Sequence, residues 1–225
     1  MNCVFFCLMN TQSLQLEVSP SIGMVSAEYI VPEASKCIMT LAHGAGAGMH
    51  HSFMTELAAS LSAVGIATLR FNFPFTEHKK GRPDTPAVAH QTIAAAITEA
   101  HQKFPTLPIF AAGKSFGGRM TSQYISANPR PEVKGLVFYG FPLHPAGKPS
   151  IDRAEHLKDV KVRMLFLQGT KDDLASWDLI ESVCSSLPKA KLVKIEGANH
   201  MFKAGKVDTM ALLVNATKDW IDKKR

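Results

Sequence analysis

The sequence predicts an α/β protein with a doubly wound, mostly parallel sheet of eight strands and helices on both faces. Short apolar runs recur along the chain without alternation, which is typical of parallel strands buried on both faces. Segments with helical periodicity lie between these runs, so successive strands are expected to be joined by right-handed crossovers. The first two runs differ because apolar and polar residues alternate around a Pro-Ser-Ile-Gly turn. That pattern predicts an antiparallel pair with one face in water.

The elements follow one another in a regular order. The alternating strands are predicted at residues 13–19 and 24–32. The buried strands are predicted at 37–43, 65–71, 107–113, 134–140, 162–169 and 190–197. The helices are predicted at 52–65, 87–104, 116–128, 176–187 and 208–224, and the fourth opens on Ser176 as its cap. Ligands of such sheets bind beyond the carboxyl ends of the strands, so function is expected in the loops at that edge.

Length and composition fit one globular domain. The chain has 225 residues, of which 46% are hydrophobic and 20% are charged. We expect residues 1–10 to be a disordered or artefactual leader and residues 11–225 to form a single domain. No apolar run approaches the roughly 20 residues needed to cross a bilayer, and the start does not resemble a secretory signal. Neither a membrane anchor nor export is predicted.

Cysteine spacing and charge narrow the expected partners. Cys3, Cys7, Cys37 and Cys184 show neither a C-x-x-C pair nor zinc-ligand spacing, which indicates free thiols and a cytoplasmic location. The net charge is +6. The basic run at 78–82 has no interleaved aromatic residues, so nucleic-acid binding is not predicted. The sequence leaves the oligomeric state open.

One motif has the form of a nucleophile site. The segment GKSFG, residues 113–117, lies between a predicted strand and a predicted helix, which is the setting of a nucleophile elbow. Its two glycines relieve crowding where the backbone turns within a few residues. Ser115 is therefore the predicted nucleophile. The alternative is a glycine-rich bend that happens to contain a serine.

A serine nucleophile needs a base, and the base needs an acid to orient it. In this topology the order along the chain is serine, acid, histidine, each in a loop after a strand. Asp172 and Asp173 follow the strand at 162–169, and we favour Asp172 because only one of two neighbouring side chains can point inward. His200 follows the last strand and is the one histidine beyond both aspartates. It is the predicted base, and capping of the last helix is its alternative role.

The intermediate of acyl transfer also needs donors for its oxyanion. The backbone N–H of Phe116, at the start of the helix after Ser115, is one predicted donor. The second is expected from the loop HGAGAG at 43–48, from Ala45 or otherwise Gly46. The pair His50 and His51 has no acidic or cysteine partner at a ligand spacing, so neither a metal nor another cofactor is predicted.

Together these motifs resemble the α/β-hydrolase superfamily. The resemblance rests on HGAGAG at 43–48, GKSFGG at 113–118, QGTKDD at 168–173 and GANHMF at 197–202. It is closest to the small, cap-less branch related to dienelactone hydrolases. RFNFPF at 70–75 and GFPLHPAGKP at 140–149 are similar to bacterial relatives of an animal testis-expressed protein.

The resemblance implies an α/β-hydrolase fold without a cap domain and a triad of Ser115, Asp172 and His200. The stretch 141–161 is too short for a helical cap, so the site should be open. Dienelactone hydrolases use a cysteine nucleophile, and the serine found here leaves their particular substrate in doubt.

The predicted function is hydrolysis of an ester or related acyl bond of a small substrate. The alternative is a catalytically retired scaffold that binds a ligand or a protein partner. The expected substrate contacts are Lys114, His43, Phe75, Phe141 and His144. Lys114, together with basic residues 79, 80 and 82, suggests an anionic substrate, unless these are simply solvated side chains.

Overall fold

The structure is a computed structural model that describes residues 11–223. Its centre is one eight-stranded sheet. The strands are β1 (Thr11–Ser19), β2 (Gly23–Ile30), β3 (Cys37–Ala42), β4 (Ile66–Phe71), β5 (Ile109–Lys114), β6 (Val133–Tyr139), β7 (Arg163–Gly169) and β8 (Ala190–Ile195). All residues of β3, β4 and β5 are buried, as their unbroken apolar composition predicts. The predicted leader at residues 1–10, with Cys3 and Cys7, lies outside the described residues.

The strand order is β1-β2-β4-β3-β5-β6-β7-β8. β1 and β2 are antiparallel, β2 is also antiparallel to β4, and the other neighbours are parallel. After β3 the chain moves to one side to form β4, and it then returns to the other side of β3 to form β5. The carboxyl ends of β3 and β5 therefore flank the point where the strand order reverses, and such a point forms a ligand-binding crevice.

Helices cover both faces of this sheet. They are α1 (Ser52–Ser62), α2 (Pro74–Glu77), α3 (Pro86–Lys103), α4 (Phe116–Ala127), α5 (Trp177–Ser186) and α6 (Thr209–Asp222), with a 3-10 helix at Asp152–Asp159. Apolar residues of α1 and α6 form the core on one face, and those of α3, α4 and α5 form the core on the other. The amphipathic periodicity of these segments gives each helix one buried side.

The predicted sheet, its antiparallel first pair and the five long helices are confirmed. Three details differ from the sequence prediction. The loop after β4 contains the short helix α2, the stretch between β6 and β7 contains the 3-10 helix, and Ser176 makes no side-chain hydrogen bond to the start of α5. No helix among residues 11–223 is both long and apolar enough to cross a membrane. The segment from β6 to β7 contains one 3-10 helix, which packs against α4, and it forms no cap domain.

Candidate active site at the carboxyl edge of the sheet

Ser115 occupies a sharp turn between a strand and a helix. β5 ends at Lys114 and α4 begins at Phe116, so Ser115 is the residue that joins them. Its backbone has φ 51° and ψ −116°, a conformation that costs a side-chain-bearing residue about 1–3 kcal/mol. The turn depends on Gly113 and Gly117, where an added Cβ would lie 2.4 Å from the Gly118 nitrogen and 2.5 Å from the Ala42 oxygen, respectively. The fold thus holds Ser115 in a strained turn, with its side chain partly exposed.

His200 and Asp172 approach Ser115 from two further loops. Nε2 of His200 lies 2.9 Å from the Ser115 hydroxyl oxygen, and Nδ1 lies 2.8 Å from Oδ2 of Asp172. Because the carboxylate can only accept, Nδ1 carries the proton and Nε2 presents its lone pair to the serine. Asp173 is exposed and takes no part in this chain of contacts. The cap of α6 is Asp208, which accepts from the Ala211 N–H, so His200 does not cap that helix.

The Asp172 carboxylate is buried and fully engaged. Oδ2 accepts a hydrogen bond of 2.6 Å from the Gln168 side-chain amide, and Oδ1 accepts one of 2.9 Å from the Leu174 N–H. The carbonyl oxygen of Gln168 in turn accepts from the Phe141 N–H at 2.9 Å. Gln168 was not predicted as a site residue. Its signal in the sequence is a polar side chain at the carboxyl end of an otherwise apolar strand, β7.

The two predicted oxyanion donors lie on either side of the serine. Phe116 is the first residue of α4, and its N–H is among those that a helix leaves without an internal partner. Within residues 11–223 no protein acceptor takes the N–H of Phe116 or that of Ala45. Ala45 is exposed in the loop after β3, which neighbours β5. Both donors are available to an oxygen held above Ser115.

Lys114 lies beside the histidine and is buried. Its amine donates a 2.7 Å hydrogen bond to the His200 carbonyl oxygen and lies 3.4 Å from Nε2 of the same residue. The amine also lies 5.9 Å from the ring centre of Phe53 and 5.3 Å from that of Phe202. Burial lowers the pKa of this lysine to about 8, against the opposing pull of the Asp172 charge. Lys114 therefore stands next to the reacting groups as a cation that can lose its proton near neutral pH.

Two predicted substrate contacts lie in the core instead. His43 is fully buried: Nδ1 donates to the Gly44 carbonyl at 2.8 Å, and Nε2 accepts from the Phe73 N–H at 3.0 Å. Burial lowers its pKa to about 4, so it remains neutral as a brace between two loops. Phe75 packs against the rings of Phe73 and Phe116. Neither side chain is exposed to a substrate: His43 is held by its two hydrogen bonds, and Phe75 lies on the buried side of the short helix α2.

Phe141 and His144 are also corrected by the structure. Phe141 is buried, and its ring packs against Phe138 and Phe166. The ring of His144 is buried as well: Nε2 accepts from the Ser176 N–H at 3.0 Å and Nδ1 lies 2.9 Å from the Pro145 oxygen. These contacts fix the segment after β6 to the start of α5. Both residues support the loops around the site without lining it.

Ser115 lines two cavities. The first, of about 280 Å³, has mainly apolar walls that include Phe53, Met54, Met201, Lys114 and His200. The second, of about 410 Å³, includes Phe116, Pro142, Asp84, Arg119 and Arg153. The basic residues 79, 80 and 82 are exposed and line neither cavity. A substrate that spans the serine would place one part in each cavity.

The histidine pair at the start of α1 has a structural explanation. Nδ1 of His51 accepts from the Phe53 N–H at 3.2 Å, which makes His51 the N-cap of α1. His50 is exposed. Among residues 11–223, no three side chains of histidine, cysteine, aspartate or glutamate are grouped so that they could hold a metal ion.

The sequence matches a known protein family. The family described as an alpha/beta hydrolase domain matches residues 35–220, which contain every residue of the candidate site. The chain belongs to the α/β-hydrolase family. Among curated proteins, this α/β-hydrolase is 26% identical over 201 residues to a Mycobacterium tuberculosis protein that carries the provisional name phosphoribosyl transferase. The match covers 87% of this chain but only 43% of that relative, so the chain spans less than half of the relative's length.

Solved structures show the same fold. This α/β-hydrolase resembles a serine hydrolase without a lid from Xanthomonas campestris, with a TM-score of 0.76 and 22% identity over 96% of this chain and 97% of that one. It also resembles a dienelactone hydrolase from Anabaena variabilis, with a TM-score of 0.73 and 19% identity over 94% and 97% of the two chains. These similarities confirm the cap-less architecture.

Proposed function

We propose that the protein is a serine hydrolase that cleaves a carboxylic ester, or a related acyl bond, of a small substrate. The observation that carries the proposal is the continuous chain of hydrogen bonds from Asp172 through His200 to Ser115. The chain ends on a serine in a strained turn, between two available N–H groups. The family resemblance and the serine hydrolase among the structural neighbours support the same reaction class.

Each residue has a definite part in the reaction. The Ser115 oxygen attacks the acyl carbon while Nε2 of His200 takes the hydroxyl proton. The N–H groups of Phe116 and Ala45 stabilise the negative oxygen of the tetrahedral intermediate. The imidazolium returns its proton to the leaving alcohol, and the acyl group stays on Ser115. Water then attacks the acyl-enzyme with His200 again as base, which releases the acid and restores the serine.

Asp172 orients the histidine and stabilises its positive form. The hydrogen bonds from Gln168 and the Leu174 N–H fix the carboxylate in place, so the imidazole ring has one orientation and one tautomer. An orienting acid of this kind is worth about 10⁴-fold in rate in serine proteases. The same geometry disfavours the rival interpretation, a retired scaffold, because a binding protein has no need of an aligned acid, base and nucleophile.

The cysteines are consistent with a reducing compartment such as the cytoplasm. Cys37 and Cys184 are buried free thiols, and burial raises the pKa of each to about 12. They are therefore unreactive structural residues. The transferase name of the mycobacterial relative belongs to a protein of which this chain matches 43%, and no observation among the described residues favours that activity here.

Hydrolysis of phenyl esters of graded chain length, from acetate to octanoate, tests the proposal. We expect saturable turnover of at least one ester, and the Ser115→Ala variant should reduce it to the background rate. Asp173→Asn is a matched control, because Asp173 is exposed and outside the hydrogen-bond chain. The proposal fails if no ester is cleaved, or if Ser115→Ala retains the activity of the unmodified protein.

A further inference from the structure

The second cavity beside Ser115 contains two arginines. Arg119 lies one helical turn after the nucleophile, and its N–H donates to the Ser115 carbonyl at 3.1 Å. Arg119 therefore lies in the first turn of α4, directly after the strained turn that holds Ser115. Arg153 comes from the 3-10 helix at Asp152–Asp159, which packs against α4. Both line the cavity of about 410 Å³ that Ser115, Phe116 and Ala45 also line.

These guanidinium groups have no carboxylate partner within residues 11–223. No ion pair includes Arg119 or Arg153, and Nε of Arg119 is buried without an acceptor. Asp84 is the one acidic residue in the lining, and its Oδ2 already accepts from the Phe75 N–H at 2.9 Å. Burial, followed by the nearby charge of Arg153, lowers the pKa of Arg119. The cavity therefore holds excess positive charge close to the nucleophile.

Two neighbouring cations without a carboxylate partner repel each other, and partial burial of Arg119 weakens its hydration. An anionic ligand removes that cost, and a planar guanidinium matches the oxygens of a carboxylate or phosphate with two parallel hydrogen bonds. The other cavity at Ser115 is mainly apolar, since Phe53, Met54 and Met201 line it. Lys114 also lines it, but its amine already donates to the His200 carbonyl oxygen. The two sides of the site therefore differ in the chemistry that they accept.

We propose that Arg119 and Arg153 bind an anionic group, a carboxylate or phosphate, carried by one half of the ester, while an apolar other half occupies the cavity of Phe53 and Met201. This proposal rests on the proposed hydrolase activity and specifies its substrate class. It also differs from the anion site predicted from the sequence, because Lys114 and the exposed basic residues 79, 80 and 82 do not line this cavity.

A panel of esters tests the site and decides which half of the substrate carries the charge. Phenyl hexanoate is the neutral reference. The half ester of adipic acid with phenol carries its charge on the acyl side. Two others, 4-carboxyphenyl hexanoate and its 4-phosphonooxy counterpart, carry it on the alcohol side and separate carboxylate from phosphate. The measured quantity is kcat/KM of each anionic ester relative to that of phenyl hexanoate.

We expect at least one anionic ester to exceed phenyl hexanoate by about tenfold or more, since hydrogen bonds to charged groups contribute 1.5–3 kcal/mol. Arg119→Gln and Arg153→Gln should each lower that ratio by about tenfold to a hundredfold. Arg119→Lys keeps the positive charge but loses the planar guanidinium, so it should lower the ratio less than Arg119→Gln does. Arg82→Gln removes one exposed positive charge outside the cavity and should leave the ratio unchanged. Melting temperatures show whether the variants are folded.

The proposal is overturned if no anionic ester is preferred, or if neither Arg119→Gln nor Arg153→Gln changes the preference. Failure of the hydrolase proposal has a different signature, because then no ester is cleaved at all. In that case calorimetric titration of the Ser115→Ala variant with the same esters measures binding alone. Tighter binding of an anionic ester that is lost with Arg119→Gln supports the anion site, and equal binding of charged and neutral esters contradicts it.

Discussion

Ser115 and Ser122 both lie within hydrogen-bonding distance of a histidine, and the two pairs have opposite chemistry. Ser115 faces Nε2 of His200 at 2.9 Å, and Ser122 faces Nε2 of His156 at 2.7 Å. Contact between a serine and a histidine is therefore not sufficient to define a nucleophile. What differs is the group behind each histidine and the backbone that holds each serine.

The proton sits on different nitrogens in the two pairs. The Ser122 hydroxyl donates to the Arg119 carbonyl at 2.9 Å, so it accepts its second bond from the Nε2–H of His156. The ring cannot take a proton from that serine in this tautomer. In the other pair, Asp172 holds the proton on Nδ1 of His200 and leaves Nε2 free to accept. In the proposed hydrolase, the orienting carboxylate thus decides which histidine acts as a base.

The neighbouring cation reinforces the difference. Burial and then the Arg119 charge lower the pKa of His156 to about 4, with a smaller opposing effect from Asp159. Arg119 keeps its charge at any physiological pH. The cation beside His200 is Lys114, which can lose its proton because burial lowers its pKa to about 8. Ser122, moreover, lies in the regular helix α4 and is buried, whereas Ser115 lies on the turn before it.

The largest expected effect comes from exchanging each histidine for glutamine. His200→Gln should lower kcat/KM for a phenyl ester by about 10⁴- to 10⁶-fold, since the base of a triad acts as a unit with its serine. His156→Gln should keep kcat/KM within about threefold of that of the unmodified protein, because the His156 ring contacts Ser122 and not Ser115. Steady-state kinetics of both variants give the two values of kcat/KM. Equal losses of kcat/KM in the two variants would contradict the assignment of His200, and not His156, as the base.

The next effect concerns the carboxylate. Asp172→Asn should reduce kcat by about 10⁴-fold, because the amide no longer holds the proton on Nδ1 of His200. Asp173→Asn is the matched control, and its kcat should stay within about twofold of that of the unmodified protein, since the Asp173 side chain is exposed. If the two variants lost activity equally, the assignment of Asp172 as the orienting acid would be wrong.

A smaller effect concerns the stability that depends on Lys114. Its pKa is about 8 in the folded protein and 10.5 without the fold, so the unfolded chain binds more protons between those pH values. The free energy of unfolding of the unmodified protein, relative to Lys114→Met, should therefore rise by about 3 kcal/mol from pH 8 to pH 10.5. Urea denaturation at several pH values measures it, with the exposed Lys171→Met as control. A flat difference would show that Lys114 is charged in the fold throughout.

The smallest effect concerns His156 and acid. Its folded pKa of about 4 lies below the value of 6.5 without the fold, so the unfolded chain binds more protons as the pH falls from 6.5 to 4. Stability should decrease over that interval, and His156→Gln should remove about 1 to 2 kcal/mol of the decrease after allowance for solvent screening. His50 is exposed, so His50→Gln should leave the decrease in stability unchanged. An unchanged acid profile in His156→Gln would contradict the assignment of a partly buried, neutral ring.

Sequence patterns sufficed for the fold and for the candidate site. Unbroken apolar strands and periodic helices located the eight strands and the five long helices to within a few residues. The order of Ser115, Asp172 and His200 along the chain selected the residues that the structure brings together. These features are local in sequence, or they follow from the fixed topology of the sheet.

The walls of the site could not be predicted in the same way. Whether a loop aromatic such as Phe75 faces the substrate or the core depends on the short helix α2, whose four residues leave little periodic signal. Arg119 lies in the first turn of α4, four residues after Ser115, so its nearness to the site could be expected from the sequence. The position of Arg153 could not be predicted, because its polar segment is distant in the chain and reaches the site only through packing of the 3-10 helix on α4.

The central claim is that Ser115, and not the neighbouring Ser122, is the nucleophile. Reaction with a fluorophosphonate followed by tryptic peptide mapping tests it directly, because Lys114 and Arg119 are cleavage points that place the two serines in different peptides. We predict one phosphonyl group on the peptide 115–119, absent after Ser115→Ala and strongly reduced after His200→Ala. Label on the peptide that contains Ser122, or no label on the unmodified protein, would contradict the account.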